Sequence, residues 1–427
     1  MKISVLTLGC KVNECESRSL VTALRDAGAE VVEDLVPADA YVINTCSVTG
    51  EADRKSRQAI GKAARMSPGA RIYVCGCSSQ RDPSMYEKYP GVVKIMGNGR
   101  KTDILRCIMS DITDEKRTDA PEPPRYFEEM PLPAHEKTRV FIKVQDGCNN
   151  FCSYCVIPYV RGRSRSRDIA SVMKEAEIAS RVTKEIVLTG IDVSSYGKDI
   201  GSSLRELVLA MGKIPVRKRM SSFECTVIDR PLLEALKASG FCDHFHLSLQ
   251  SGSDRVLRAM NRHYTTAEYL DIVSLVREYF PDAGITTDVI AGFPSETEED
   301  FADVCEFVRK VRFSDMHVFP YSERKGTRAA GMKQIPMEER RRRAHILLGI
   351  RDELKADFLR SCEGKTLSVY FEERGNDGLA SGYATNYVRI YAHAQPGEIK
   401  DITAGKPFEE DTWELYNLNE DFAEAKN

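Results

Sequence analysis

Apolar runs and amphipathic stretches alternate through the first part of the chain. Residues 3–8, 40–44 and 71–75 are short and almost continuously apolar, a pattern typical of buried parallel strands. Residues 16–27 and 53–66 show the apolar spacing of helices. Strands that alternate with helices in this way predict an open parallel α/β sheet at the amino terminus.

A second alternation begins at Arg139 and contains six strand-like runs. The predicted strands are residues 140–144, 185–189, 219–223, 244–249, 284–290 and 315–319. The predicted helices between and after them include residues 169–180, 230–238, 266–279, 298–311 and 337–360. Because a full barrel of this type needs eight strands, these units predict a partial (β/α)6 barrel.

The end of the chain changes character again. Residues 366–372 and 387–392 favour strands, and turns that contain Gly and Asn separate them, which predicts a small antiparallel β-barrel. Residues 120–134 contain five prolines and predict a linker. The predicted domains are residues 1–115 for the α/β sheet, 116–137 for the linker, 138–362 for the partial barrel and 363–427 for the small barrel.

Composition narrows the class of protein. The 427 residues include no run of about 18 apolar residues, so the sequence predicts no membrane span. The apolar start meets Lys11, Glu14 and Glu16 too early for a signal peptide, which predicts a cytoplasmic protein. The net charge is −3, so a partner that carries phosphates would need local basic patches.

Thirteen cysteines require a chemical explanation. The number is odd, and a cytoplasmic protein is not expected to hold a disulfide framework. Cys148, Cys152 and Cys155 follow the first strand of the predicted barrel, and three thiolates at this spacing can hold a 4Fe–4S cluster with one iron left open. No other Cys or His stands within ten residues of them, which argues against a zinc site.

Cys10, Cys46 and Cys77 are far apart in the sequence, but each lies at or just after the end of a predicted parallel strand. The carboxyl ends of such strands meet along one edge of the sheet, where ligands bind. These thiolates can therefore converge on a second 4Fe–4S cluster, while buried structural thiols remain the alternative interpretation. The other cysteines, including Cys75, are predicted to be structural.

The Cys-x3-Cys-x2-Cys motif on a partial barrel resembles the radical SAM superfamily. The resemblance implies that Cys148, Cys152 and Cys155 hold a 4Fe–4S cluster that binds the methionyl group of S-adenosylmethionine. It implies that Tyr154 packs on the adenine of this cofactor. It also implies reduction by an electron donor such as flavodoxin or ferredoxin, which cleaves the cofactor to methionine and a 5′-deoxyadenosyl radical.

Further contacts with S-adenosylmethionine are implied at the ends of later strands. They are Thr189 and Gly190 for the methionyl amine, Ser222 and Glu224 for the ribose, and the stretch from Asp288 to Gly292 for the adenine. Each match is short, and a turn glycine or a helix-capping serine is the alternative interpretation for each one alone. Their order along successive strands supports them as a set.

The sequences around the other three cysteines resemble the amino-terminal domain of the methylthiotransferases. The matching segments are GCKVN at residues 9–13, NTC at 44–46 and GCSSQ at 76–80. The resemblance covers essentially the whole chain and implies that Cys10, Cys46 and Cys77 hold a second 4Fe–4S cluster, which carries the sulfur to be transferred. It also implies that the small barrel is a TRAM domain, which binds the macromolecular substrate.

Within this family, the segments 9–13 and 157–167 are similar to the branch that modifies N6-threonylcarbamoyladenosine at position 37 of tRNA. The implied reaction replaces hydrogen on carbon 2 of the adenine with a methylthio group. One alternative is the isopentenyladenosine branch, which favours Gln-Met before Asn13. The other modifies an aspartate of a ribosomal protein and carries a histidine after the glutamine, where this chain has Ser251. Cys225 and Ser248 replace prolines of the family pattern beside the predicted cofactor site.

The expected contact with tRNA lies near the cysteine motif. Residues 364–427 contain six Lys and Arg against twelve Asp and Glu, so this tail is a poor electrostatic anchor for RNA. The residues predicted to contact tRNA phosphates are Arg161, Arg163, Arg165 and Arg167. The basic run at residues 340–343 is either a second contact or a solvated face. A protein that binds RNA or senses iron without catalysis is the rival from another class, and Tyr154 argues against it.

Overall fold

A computed structural model describes residues 1–109, 118–119, 122–134, 138–375, 378–408 and 414–417. The amino-terminal unit contains the strands β1 (Lys2–Thr7), β2 (Glu30–Val32), β3 (Ala40–Thr45), β4 (Arg71–Gly76), β5 (Val92–Met96) and β6 (Thr118–Asp119). Its helices are α1 (Lys11–Asp26), α2 (Gly50–Met66), α3 (Cys77–Arg81), α4 (Ser84–Glu87) and α5 (Thr102–Met109). The strands form one parallel sheet in the order β2-β1-β3-β4-β5-β6. The predicted open parallel α/β sheet is confirmed.

Helix α1 begins at Lys11, five residues before the start predicted from apolar spacing. The side-chain amide of Asn13, in the first turn, donates hydrogen bonds to the carbonyl oxygens of Leu8 at 2.8 Å and Thr45 at 3.1 Å. These bonds fasten the first turn to the chain that follows β1 and to the end of β3. Because the partners come from two separate strands, local spacing could not locate this start.

The central unit alternates strands and helices. Its strands are β7 (Arg139–Lys143), β8 (Gln145–Asp146), β9 (Arg165–Ser166), β10 (Glu185–Thr189), β11 (Arg217–Met220), β12 (His244–His246), β13 (Gly284–Ala291) and β14 (Asp315–Pro320). Its helices are α6 (Ile157–Val160), α7 (Ile169–Ala179), α8 (Leu204–Met211), α9 (Arg230–Ala238), α10 (Asp254–Ala259), α11 (Thr266–Tyr279), α12 (Glu298–Val311) and α13 (Met337–Cys362). Short 3₁₀ turns occupy Val193–Ser195, Cys225–Val227 and Arg328–Gly331.

Six parallel strands of this unit form the partial barrel. Strand β10 lies between β7 and β11, and β13 lies between β12 and β14. A parallel bridge between Phe223 and Leu247, which follow β11 and β12, joins the two groups of three. The predicted partial (β/α)6 barrel is confirmed. Strands β11 and β12 both end earlier than the sequence predicts.

The predicted bounds of two barrel helices match the structure, because both helices begin at a capping motif that is local in sequence. Helices α11 and α12 each begin with a capping box, Thr265 with Glu268 and Thr297 with Asp300. In each box the hydroxyl accepts a hydrogen bond from a backbone N–H of the first turn, and the carboxylate accepts one from the N–H of the capping residue. The start of each helix is therefore encoded locally.

The carboxyl-terminal unit is a curled sheet that closes on itself. Its strands are β15 (Thr366–Arg374), β16 (Ala380–Ala384), β17 (Arg389–Ala392), β18 (Ile399–Phe408) and β19 (Glu414–Asn417), in the order β15-β16-β17-β19-β18. The pairings are antiparallel except that of β17 with β19, which is parallel. The predicted small antiparallel barrel is thus confirmed, with one parallel pairing where it closes.

A buried carboxylate docks this small barrel against the amino ends of the barrel strands. Glu185, the first residue of β10, lies 2.6 Å from Arg139 and 3.0 Å from Arg219. Arg139 also reaches Glu372 of β15 at 3.1 Å, and Arg219 donates to the carbonyl oxygen of Thr385 at 2.7 Å. Because an unpaired buried charge is costly, these shared partners hold the two units together.

No helix of the described residues is long and apolar enough to cross a membrane. The predicted linker, residues 116–137, and the predicted carboxyl-terminal domain, residues 363–427, lie partly outside the described residues. The domain limits drawn from the sequence therefore stay predictions.

Candidate active site

Three cysteines of the amino-terminal sheet lie along one edge of it. Cys10 precedes α1, Cys46 follows β3, and Cys77 begins α3 directly after β4. Strands β1, β3 and β4 are neighbours in the parallel sheet, so their carboxyl ends lie side by side. Cys46 and Cys77 are buried and Cys10 is half-buried. We call these three residues the first triad.

Two glycines with positive φ permit this close arrangement. Gly9 has φ +103°, and a Cβ atom there would lie 2.7 Å from Sγ of Cys46. Gly76 has φ +105°, and a Cβ atom there would lie 2.4 Å from the carbonyl oxygen of Thr45. Any larger residue at either position would displace β3 and the cysteine that follows it.

Burial favours the protonated form of two of these thiols, Cys10 and Cys46. Burial raises the pKa of Cys46 to about 11, and negative charge on Cys77 and Cys10 contributes to the rise. Burial also raises the pKa of Cys10, although the nearby Arg161 opposes this effect. Because iron binds the thiolate, an iron–sulfur cluster would have to stabilise the charged form.

The donor set of the first triad is of the kind that a 4Fe–4S cluster takes. Within the part of the chain that the structure describes, no three Cys, His, Asp or Glu side chains converge on one ion. In a 4Fe–4S cube each thiolate binds a different iron, so the sulfurs stand further apart than the ligands of a single metal. Three buried or half-buried thiols at one sheet edge are donors of the kind that such a cluster takes.

A second triad, Cys148, Cys152 and Cys155, lies in the loop between β8 and α6. All three thiols are half-buried. The backbone N–H groups of Asn150 and Ile157 donate to Sγ of Cys148 and of Cys155, both at 3.4 Å. Hydrogen bonds to sulfur stabilise thiolates and tune a bound cluster. This loop therefore also fits a 4Fe–4S cluster.

Sequence reasoning missed Arg262, which connects the second triad to a predicted cofactor contact. Its Nη1 donates to Sγ of Cys152 at 3.3 Å, and its Nη2 forms a close ion pair with Glu224. Its guanidinium lies over the ring of Tyr264, 5.1 Å from the centroid. Arg262 thus holds Glu224 beside the cysteine loop. It lies in the loop between α10 and α11, where no motif marks it.

Other predicted contacts with S-adenosylmethionine lie at the ends of barrel strands. Thr189 is buried at the end of β10, and a Cβ atom at Gly190 would lie 2.9 Å from Oε1 of Gln145. Gly292 follows β13 with φ +70°, and a Cβ atom there would lie 2.7 Å from Cγ of Arg340. Close packing explains both glycines without a cofactor, so their cofactor role stays a prediction.

Tyr154 packs beside the second triad against an apolar cluster that includes Val256, Met260 and Phe293. Burial raises the pKa of its hydroxyl well above 10, so this group is neutral. An aromatic ring in an apolar cluster is stable without a ligand, and the contact with adenine stays a prediction.

Ser222 and Asp288, the remaining predicted contacts, line a cavity of about 610 Å³ inside the partial barrel. Its wall also includes His244 of β12, Lys11 of α1 and Tyr387 of the small barrel. The ring of Tyr387 stacks on that of His244 with centroids 4.3 Å apart. The volume is in the range of small-molecule sites, and residues of all three units surround it.

Arg161 is fully buried. It lies at the interface between the amino-terminal unit, which we call the sheet unit, and the partial barrel. Its Nε donates to Sγ of Cys77 at 3.3 Å, and its Nη2 donates to Oδ1 of Asn13 at 2.5 Å. Its Nη1 lies 3.0 Å from Glu16 and 2.9 Å from Asp146. The guanidinium therefore contacts two residues of α1, a cysteine of the first triad and the strand that leads to the second triad.

The carboxylates around Arg161 stay ionised although they are buried. Burial alone would raise the pKa of Glu16, but the positive charges of Arg161, Lys101 and Lys143 hold it well below 4.5. Burial likewise opposes ionisation of Asp146, and the neighbouring cations, Arg161 above all, lower its pKa. Glu16, Lys101, Lys143, Asp146 and Arg161 form a connected group of buried charges, which we call the interface ion network.

The two triads lie near the same interface, because Arg161, at the end of the helix that follows the second triad, contacts Cys77 of the first triad. Burial raises the pKa of Cys155 to about 12, and negative charge on Cys152 and on Cys77 of the other triad contributes to the rise. The side-chain amide of Asn98 donates to the carbonyl oxygen of Val160 at 2.9 Å, and its Oδ1 lies 3.7 Å from Sγ of Cys77. Thiols that are far apart in the sequence are thus close enough to influence one another.

Three of the four arginines predicted to contact phosphates are buried and neutralised, and the structure corrects that prediction for them. They are Arg161, Arg165 and Arg167, at 0%, 2% and 5% exposure. Arg165 lies 3.0 Å from Asp146, and Arg167 forms a close ion pair with Glu175. A guanidinium that is enclosed with a carboxylate is not available to RNA. The alternating pattern of arginines in the sequence does not indicate these carboxylate partners.

Arg163 is the exposed member of the set. Its guanidinium lies 4.4 Å from the ring centroid of Phe151. That ring packs edge-on against Tyr159 with centroids 5.7 Å apart, and Tyr159 is 59% exposed. A cation flanked by accessible aromatic rings can contact phosphates and stack on unpaired bases.

The basic run at residues 340–343 is half internal, because Arg341 and Arg342 are exposed. Arg340 and Arg343 are buried. Arg340 donates to the carbonyl oxygen of Tyr321 at 2.9 Å, and Arg343 lies 2.7 Å from Glu296. These contacts fasten α13 to the barrel, so neither a solvated face nor an RNA contact describes the whole run.

Comparison with protein-family models matches two segments of the chain. Residues 142–308 match the Radical SAM superfamily. Residues 2–97 match a family described as uncharacterized protein family UPF0004. The two segments contain the second and the first triad respectively.

Relatives of known name are similar over most of the chain. It is 36% identical to the threonylcarbamoyladenosine tRNA methylthiotransferase MtaB of Bacillus subtilis, over 95% of this chain and 94% of the relative. It is 38% identical to the protein of the same name from Aquifex aeolicus, over 86% and 92%. It is 35% identical to the tRNA-2-methylthio-N(6)-dimethylallyladenosine synthase of Caldicellulosiruptor saccharolyticus, over 90% and 85%.

Solved structures share the fold at low sequence identity. The radical S-adenosylmethionine methyltransferase TsrM from Kitasatospora setae matches with a TM-score of 0.57 and 17% identity, over 77% of each chain. The cobalamin-dependent S-adenosylmethionine radical enzyme OxsB matches with a TM-score of 0.53 and 12% identity, over 82% of this chain and 56% of that one. At these identities the likeness concerns the fold alone.

Replacing Arg161 with Met should lower the free energy of unfolding by about 3–5 kcal/mol, because Glu16 and Asp146 would remain buried without their shared cation. Denaturant unfolding measures the change. Arg181→Met, at an exposed position after α7, is the matched control and should change stability by less than about 0.5 kcal/mol. If Arg161→Met unfolds like the wild type and binds RNA more weakly, then Arg161 contacts RNA phosphates, as the sequence predicts.

Proposed function

The chain belongs to the radical SAM methylthiotransferase family, and we propose that it adds a methylthio group to carbon 2 of N6-threonylcarbamoyladenosine at position 37 of tRNA. The proposal is carried by relatives that are 36% and 38% identical over most of the chain and that bear the name of this activity. Membership of the family implies S-adenosylmethionine and a 4Fe–4S cluster as cofactors. The two facing triads supply the number and kind of ligands that this chemistry requires.

Each triad holds one 4Fe–4S cluster in this proposal. The second triad holds the cluster that binds S-adenosylmethionine, and the first triad holds the auxiliary cluster. When bound, the two clusters supply the one-electron reduction of S-adenosylmethionine and a place for the sulfur to be transferred. An electron donor such as flavodoxin or ferredoxin reduces the enzyme. The donors to sulfur, Arg161, Arg262 and two backbone N–H groups, support the thiolates.

The side chains around the triads position the reactants and exclude water. Arg262 holds Glu224 next to Cys152, where the carboxylate can accept hydrogen bonds from the ribose of S-adenosylmethionine. The interface ion network holds the sheet unit against the barrel, so that a base placed between the triads is within reach of both. Enclosure matters because a radical on carbon must be kept from side reactions.

A tRNA substrate fits the exposed aromatic patch next to the second triad. The target base lies in the anticodon loop, unpaired, and can leave the stack to enter a pocket. Arg163, Phe151 and Tyr159 offer one cation and two rings at the surface beside the cysteine loop. A tRNA substrate would also place the enzyme in the cytoplasm.

A second candidate substrate is dimethylallyladenosine in tRNA. The relative from Caldicellulosiruptor saccharolyticus, which is 35% identical, bears the name of that activity. Both candidates share the reaction at carbon 2 and differ only in the substituent on the adenine. The choice between them therefore depends on the residues that surround this substituent.

The proposed activity can be tested together with the ligand assignment. Anaerobic reconstitution should yield about eight irons per chain, because each triad accounts for about four. With S-adenosylmethionine, a reductant and tRNA that carries threonylcarbamoyladenosine, mass spectrometry of the nucleosides should detect the 2-methylthio product. Changing all three cysteines of the second triad to Ala should leave about four irons and abolish release of 5′-deoxyadenosine. Cys77→Ala should preserve that release and stop methylthiolation.

Cys75→Ala is the matched control, because this buried thiol lies two residues before Cys77 and outside the triad. It should retain both clusters and activity. A product formed only on tRNA with dimethylallyladenosine would favour the second candidate. Release of 5′-deoxyadenosine by the triple variant would contradict the ligand assignment, as would a larger loss in Cys75→Ala than in Cys77→Ala.

Arg163→Gln should weaken tRNA binding in a salt-dependent way, because one phosphate contact would be lost. The slope of log affinity against log salt concentration should fall by roughly 0.7–0.9. Fluorescence anisotropy at several salt concentrations measures the slope. Arg181→Gln removes an exposed charge elsewhere and should leave the slope unchanged. An unaltered slope in Arg163→Gln would remove this arginine from the tRNA contact.

A further inference from the structure

The cavity of about 610 Å³ lies inside the partial barrel and reaches Lys11 of the amino-terminal unit. Ser222 and Asp288, two predicted contacts of S-adenosylmethionine, line one part of it. Lys11 lines another part and is the residue after Cys10 of the first triad. A base that reacts between the triads would have this cavity next to it, with room for a substituent on its amino group.

Basic side chains outnumber acidic ones in the wall of the cavity. The charged residues of the wall are Lys11, Arg139, Arg219, Lys355 and Arg389, against Asp288 and Asp315. A wall of this composition attracts a negatively charged ligand. Arg389 donates to Oγ of Ser381 at 3.2 Å. Three other basic groups have carboxylate partners, because Arg139 and Arg219 contact Glu185 and Lys355 lies 3.4 Å from Asp315.

Lys11 differs from these three. It is exposed, and its ammonium lies 5.2 Å from the ring centroid of Phe141 on β7. Among the residues that the structure describes, no carboxylate forms an ion pair with it. An aromatic ring stabilises a cation without neutralising it, so this charge is available to a ligand.

We propose that Lys11 binds the carboxylate of the threonylcarbamoyl group and thereby selects this nucleoside over dimethylallyladenosine; the inference rests on the proposed function. The threonylcarbamoyl group ends in a carboxylate, whereas the dimethylallyl group is apolar. An ammonium and a carboxylate form a charge-assisted hydrogen bond. An apolar substituent in the same place would displace water from the ammonium and give it no partner, which lowers affinity.

The test compares two anticodon stem-loop RNAs, one with threonylcarbamoyladenosine and one in which its carboxylate is replaced by a neutral carboxamide. Lys11→Gln should lower kcat/KM on the carboxylate RNA by on the order of tenfold, and on the carboxamide RNA by less than about twofold. Binding measured by fluorescence anisotropy should show the same difference. Lys11→Arg keeps the charge and should retain most of the preference for the carboxylate.

Two controls separate this effect from damage to the neighbouring cluster site. The iron content of Lys11→Gln should equal that of the wild type, and Lys62→Gln, at an exposed lysine of α2 outside the cavity wall, should behave as the wild type. Because both RNAs carry the same phosphates, an equal loss on both would mean that Lys11 binds the RNA backbone, and would overturn the inference. No loss on either RNA would overturn it as well.

A failure of the proposed function would give a different experimental result from a failure of the role of Lys11. A wild-type enzyme that modifies only dimethylallyladenosine RNA would contradict the proposed function itself. A wild-type enzyme that modifies the carboxylate RNA, with no change in Lys11→Gln, would contradict only the role of Lys11.

Discussion

The buried guanidinium of Arg161 is the contact on which the construction of the site depends. Burying an ion costs several kcal/mol, and this cost is recovered only when every member of the interface ion network is present. Glu16 belongs to the helix that begins beside Cys10, and Asp146 to the strand that leads to the second triad. The two triads therefore face each other only when the sheet unit and the barrel are docked.

The carboxyl-terminal small barrel covers the cavity from the opposite end of the partial barrel. Its docking depends on Glu185, which three barrel arginines surround, and on Tyr387, which reaches the cavity wall. Glu372 of the small barrel takes part in this docking, because it lies 3.1 Å from Arg139.

Features encoded in short stretches of sequence could be predicted, and features that depend on distant partners could not. Capping boxes fixed the starts of α11 and α12, and strand ends placed the cysteines of the first triad at one edge of the sheet. The role of Arg161 was misjudged because its partner Glu16 lies 145 residues away. The part played by Arg262 was missed for the same reason, since Glu224 and Cys152 come from separate loops.

The distance between the two clusters tests the central claim, that the docked units make the triads face one space, most directly. Electron paramagnetic resonance of the reduced, fully reconstituted enzyme should show a spectrum altered by spin–spin interaction between neighbouring clusters. Variants that lack either triad should each show the simple signal of one isolated cluster. If the spectrum of the intact enzyme equals the sum of these two signals, the clusters do not lie together, and the account is contradicted.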